Sequence, residues 1–97
     1  MAQWRLGIVC NNFLEKKKAK EHHENALDIA IEIGDRQGEG TSNGNLGVVF
    51  QSLNEYQKAK EYHEKALAIA IEIGDRQGEG DNNGNLGLLF RSLGEFL

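Results

Sequence analysis

Three histidines, His22, His23 and His63, and one cysteine, Cys10, are the side chains of this 97-residue chain best suited to metal ligation or nucleophilic catalysis. His23-Glu24 and His63-Glu64 begin like the zinc-protease motif His-Glu-x-x-His, which sets two ligands one helical turn apart with a general base between them. The second histidine is absent both times, because Leu27 and Leu67 stand in its place. His23 and His63 therefore read as packing residues, and His22 as an exposed one. Asp81, Asn83 and Asn85 alternate like calcium ligands, but Leu86 falls where the loop glycine belongs and Ser92 where the bidentate glutamate belongs. The glycines from Gly38 to Gly47 follow a predicted helix, whereas a dinucleotide loop follows a strand, and no Gly-Lys-Ser/Thr ending completes a P-loop. Cys10 has no His or Asp arranged to activate it. The expectation is a chain with no metal, no cofactor and no catalytic residues, hence not an enzyme.

The totals narrow the remaining classes. A net charge of −4 and a pI near 5.3 argue against nucleic acid, which is bound through basic surface. Lys16, Lys17, Lys18 and Lys20 form a short basic run, but Glu15, Glu21 and Glu24 surround it, as on a solvated helix face. The longest apolar run, Ala66 to Ile71, is far short of the roughly 20 residues that span a bilayer. No signal-peptide core opens the chain, and no membrane partner is expected. A single cysteine rules out an internal disulfide framework, so a reducing, cytoplasmic setting is expected.

The elements that carry these residues follow from a repeat. Ile31-Glu32-Ile33-Gly34-Asp35-Arg36-Gln37-Gly38-Glu39-Gly40 returns unchanged as Ile71 to Gly80, a period of forty residues. A period between about 20 and 50 residues marks a stacked-repeat architecture. In residues 1 to 14, Trp4, Leu6, Gly7, Val9, Cys10, Phe13 and Leu14 step by threes and fours, which predicts a first helix A. Ala19, His23, Ala26, Ala30 and Ile33 predict a helix B over 15 to 33. Ala59, His63, Ala66, Ala70 and Ile73 repeat that stripe over 55 to 73, broadened by Leu67, Ile69 and Ile71. Between and after them, helix A recurs over about 36 to 53 and 76 to 93. Gly34 and Gly74 suit the left-handed position that ends a helix, Asp35 and Asp75 suit the N-cap of the next, and Asn54 and Gly94 suit helix ends. Four glycines inside the second helix A, Gly38, Gly40, Gly44 and Gly47, each cost about 1 kcal/mol relative to alanine, so that helix depends on packing and its glycines mark close crossings. The expected fold is an all-α solenoid of antiparallel helix pairs. It comprises about five helices in one array: repeat 1 over 1–34, repeat 2 over 35–74 and a partial repeat 3 over 75–97.

Leu46-Gly47, Phe50, Leu53, Ala59, His63 and Ala66 resemble the tetratricopeptide repeat pattern of Leu-Gly, aromatic, small and small. Leu6-Gly7, Cys10, Phe13, Ala19, His23 and Ala26 match it in the first repeat, and Leu86-Gly87, Phe90 and Leu93 in the third. The forty-residue period and the Gly-Asp-Arg-x-Gly-Glu-Gly joint are similar to the long-helix subtype of the Leu-Gly-Asn repeat-enriched, Pins-class G-protein modulators. The chain departs from the pattern at Ile31 and Ile71, where a proline is usual, and at Cys10, where an aromatic is usual. Trp4 replaces the later Gly44 and Gly84, as expected of an N-terminal repeat with no earlier helix to crowd it.

The resemblance implies a protein-interaction scaffold whose A helices line a concave groove. Thr41, Asn45, Val48 and Ser52, with Gln51 beside them, would form one groove-facing stripe. Asp81, Asn85, Leu88, Arg91 and Ser92 would form the next, and Arg5, Ile8, Asn11 and Asn12 the first. In the family, an asparagine just before the Leu-Gly pair commonly bonds a peptide backbone, which assigns Asn45 and Asn85 to ligand binding; the alternative is that they tie adjacent repeats together. Val48, Leu88 and Ile8 would add apolar contact, and Arg91 or Arg5 an ion pair. The lysine and arginine set with which chaperone-binding members clamp a C-terminal carboxylate is absent, since Gly44 and Gly84 stand where the lysine would be. The expected partner is a peptide segment of another protein. The rival expectation is a structural segment of a longer array that self-associates through an open C-terminal edge formed by Leu86, Leu89, Phe90 and Leu93.

Overall fold

The repeated Gly-Asp joint ends one helix and starts the next by the same hydrogen bonds each time. Gly34 and Gly74 adopt φ of 76° and 74°, a region where a Cβ is strained. Across that turn the Asp35 and Asp75 amides donate to the Ala30 and Ala70 carbonyls, both at 2.8 Å. The Asp35 and Asp75 carboxylates then accept from the Gly38 and Gly78 amides at 2.9 and 3.0 Å, capping the following helices. The computed structural model describes the backbone of residues 2–94 and the side chains of residues 12–94. It contains α1 (Ala2–Ile33), α2 (Arg36–Ser52), α3 (Tyr56–Ile73) and α4 (Arg76–Leu93).

Among the described residues the expected five helices are four, because helices A and B of the first repeat are one continuous helix. In the second repeat the chain turns back at Asn54, whose φ is +64°, and α4 ends at Gly94 with φ of 70°. The first-repeat counterpart of these two residues is Leu14, and a branched aliphatic side chain disfavours the left-handed conformation that the turn requires. Leu14 instead continues the helix, which at 32 residues spans about 48 Å. The helix B that would open at Glu95 lies outside the described residues.

α2 is the central element. It packs on α1, α3 and α4, and α3 packs on α4, while α1 meets α2 alone among the described helices. Leu46 and Phe50 of α2, Ala59 of α3, and Leu86 and Leu89 of α4 form the buried core. The Phe50 ring stacks on Tyr62 with centroids 5.2 Å apart, and the ammonium groups of Lys20 and Lys58 approach the same ring at 5.6 and 5.5 Å. Two of the glycines expected to mark crossings do so, although side chains rather than backbone fill the space they leave. A Cβ at Gly40 would meet Ile69 at 2.9 Å, and one at Gly47 would meet the His63 imidazole at 2.5 Å. His63 is fully buried, as the packing assignment requires. Burial pushes its pKa below the ordinary range, partly opposed by the Asn82 side chain.

The C-terminal edge needs a correction. Leu86 and Leu89 are buried in the core, and Phe90 and Leu93 are partly covered, so these residues do not form an open apolar edge. Among the described residues, the open side of α4 is its glycine face, Gly80, Gly84 and Gly87, where nothing lies within 4 Å of an added Cβ.

Candidate functional site

α2 and α4 carry the same pattern forty residues apart and touch each other, so equivalent positions come side by side. On α2, Thr41, Asn45, Val48 and Ser52 are all exposed, as their steps of four, three and four predict for one helix face. On α4, Asp81, Leu88, Arg91 and Ser92 are exposed and Asn85 is half-buried. Asn45, Val48 and Asn85 line one hollow of about 190 Å³, together with Thr41, Gly44, Asp81 and Asn82. Gln51 is half-buried and, with Leu88 and Arg91, lies outside this lining. The side chains of Arg5 and Ile8 lie outside the described residues. Because α1 is continuous through Leu14, no separate first helix A stands beside α2 as a third wall.

The floor of the hollow comes from residues that the groove-stripe reading left out. Ile69 and Ile73 of α3, one turn apart, both line the hollow; Ile69 is 5% exposed and buried beneath the A helices, whereas Ile73 is exposed at its edge. Their signal in the sequence was the breadth of the helix-B stripe: Ile69 stands beside the Ala66, Ala70 and Ile73 line, so α3 reaches the hollow as well as α2. The charged residues of the lining are Asp75 and Asp81, both acidic.

Two kinds of asparagine are separated by burial. Asn43 and Asn82 are buried, and their amides donate to the Glu39 and Gly78 carbonyls one turn back at 3.0 and 2.8 Å. Those bonds satisfy their own helices. Asn45 and Asn85 face the hollow with no hydrogen bond among the described residues. The ties between repeats that the alternative reading gave to them are absent there.

The hollow is shallow and polar, below the roughly 300 Å³ at which small-molecule pockets begin. No cluster of three or more His, Cys, Asp or Glu able to hold a metal occurs among the described residues. No helix among the described residues is long and apolar enough to cross a membrane.

No curated protein matches the sequence. The tetratricopeptide repeat family model matches residues 1–72, which take in α1, α2 and nearly all of α3. Family proteins of this kind generally act as protein-interaction modules. With that match over most of its length, the chain belongs to the tetratricopeptide repeat family.

Proposed function

We propose that the chain holds a peptide segment of a partner protein across the hollow between α2 and α4. The observation that carries this reading is the placement of Asn45 and Asn85 on facing helices, with side-chain amides that bond nothing else among the described residues. An amide donates and accepts at once, so each can take the N–H and C=O of a passing peptide unit. Val48 and Ile73 at the rim and Ile69 in the floor offer one apolar position to a peptide side chain. Asp81, exposed at the hollow, favours a peptide carrying lysine or arginine there. Leu88 and Arg91 extend the surface along α4, and Gln51 along α2. Arg5 and Ile8 would join it only where a first helix A is folded beside α2.

The forty-residue period and the Gly-Asp-Arg joint support the long-helix subtype of the Pins-class modulators. Repeat type fixes no partner, so the ligand has to come from the site. A cytoplasmic protein with no cofactor and no catalysis fits this reading.

The test is an array of cytosolic peptides probed with the wild-type chain and with the Asn45→Ala/Asn85→Ala double variant, both checked for helicity by circular dichroism. Peptides enriched in basic residues should bind the wild type and lose most of their signal with the variant. Equal binding by the two proteins would remove both asparagines from the site.

A further inference from the structure

Inside the chain, α2 shows how a helix A is held. Its Gly40 makes room for Ile69, Gly44 lies beside Ala66, and Gly47 receives the His63 imidazole, all from α3. At the end of that seam the Arg36 guanidinium makes a two-pronged bond to Glu72 at 2.8 and 2.9 Å. One repeat later, α4 presents the same glycines, Gly80, Gly84 and Gly87, to open space. Arg76, the counterpart of Arg36, has a side chain 88% exposed, with Glu79 of its own helix at 3.6 Å.

One repeat earlier, the complementary half is open too. Ile29, Ala26 and His23 are the counterparts of Ile69, Ala66 and His63. They line a trough of about 620 Å³ between α1 and α2, over three times the volume left in the equivalent place beside α2. Glu32, the counterpart of Glu72, is exposed on the same helix. The chain thus carries both halves of its own α2–α3 interface, one at each end, each without its mate among the described residues.

We propose that copies of this chain associate head to tail, with α4 of one copy seated in the α1–α2 trough of the next. Gly80, Gly84 and Gly87 lie over Ile29, Ala26 and His23 of the neighbouring copy, and Arg76 bonds its Glu32. The ring of Phe90 takes the place of Phe50. Lys60 already stands 5.3 Å from it, as Lys20 stands from Phe50, and Lys18 of the neighbour supplies the second cation that Lys58 gives to Phe50. The two surfaces differ, so the contact is heterologous and does not close by a two-fold axis. Each added copy extends one superhelix by two helix pairs, in the manner of a longer solenoid.

The test uses two variants whose substitutions fall on open surface and leave the fold intact. Gly87→Leu fills the notch on α4, where an added Cβ meets nothing, and Ala26→Glu puts a charge into the trough, where Ala26 is exposed. In sedimentation velocity the wild-type mass should climb with concentration above that of the 10.8 kDa chain. Each variant alone should stay at the mass of one chain. An equal mixture should form a heterodimer of about twice that mass and grow no further, because G87L retains an open trough and A26E retains an open α4. A wild type that stays monomeric at every concentration overturns the proposal, as does a mixture that stays monomeric. Association that survives Gly87→Leu and is lost with Ala26→Glu also overturns it, assigning the trough to another segment such as residues 2–13 of a second copy.

Discussion

The first and second repeats share their helix-B stripe, yet Ile29 is 57% exposed and Ile69 is 5% exposed. Ala26 is exposed where Ala66 is buried, and His23 is half-buried where His63 is fully buried. The residues are the same, so burial here is not a property of the residue or of its helix. It depends on whether a helix A lies alongside, and that depends on one backbone turn. Asn54 makes the turn and Leu14 does not. The buried stripe goes with the turn at Asn54, and the exposed stripe with the helix that runs on through Leu14.

The most direct way to break the difference is at the turn. Leu14→Asn supplies a residue that tolerates the left-handed conformation, as Asn54 does. Residues 2 to 13, which carry the Leu6-Gly7 pattern of a helix A, can then fold back onto Ala26 and Ile29. The expected outcome is a shorter maximum dimension in small-angle scattering, together with weaker head-to-tail association because the trough is filled from within. An unchanged scattering profile would show that Leu14 is not what keeps α1 straight.

A second experiment measures the same contrast as stability. Ile69→Ala removes a buried side chain between three helices and should cost about 2–5 kcal/mol, enough to threaten a domain of this size. Ile29→Ala removes an exposed one and should fall within about 0.5 kcal/mol, the range of ordinary surface substitutions. Chemical denaturation of both variants at a protein concentration where the chain is monomeric checks this. Comparable losses would mean that the first trough is already occupied in solution.

The sequence was most legible where the repeat spoke for itself. The forty-residue period, the Gly-Asp joints and the helix-face stripes led to α2, α3 and α4 within a residue or two of their ends, because most of those ends are set by local chemistry: the N-cap carboxylates of Asp35 and Asp75 and the left-handed Asn54, Gly74 and Gly94. The first repeat misled for the opposite reason. Its apolar spacing matches a helix A followed by a helix B, and periodicity does not break at a missing turn. The signal was present, since Leu14 aligns with Asn54 and Gly94, but it had to be read as the absence of a turn residue. The hollow was half legible: Asn45, Val48 and Asn85 follow from helix-face spacing, whereas Ile69 enters through the packing of α3 beneath two helices. At the C-terminal edge, Leu86 and Leu89 read as uncovered because periodicity alone does not show which face of α4 meets α3. α3 covers them.

The smallest expected effect is a pH dependence carried by the buried histidine of the second repeat. His63 is enclosed against Gly47, with Asn82 as the polar side chain beside it, and neither ring nitrogen has a hydrogen-bond partner within 3.5 Å among the described residues. Burial favours the neutral ring and lowers its pKa below the value it takes in the unfolded chain. On acidification through the ordinary histidine range the unfolded chain therefore binds the proton first, and stability falls as pH drops. The loss begins near pH 6.5, the usual histidine value, and levels off once the folded protein titrates as well. Thermal unfolding at steps from pH 7.5 to 5.0 should show a midpoint that declines toward acid. His63→Leu, close in volume and without the ionisable ring, should flatten the decline over that window. A decline of equal slope in the variant would place the acid sensitivity elsewhere.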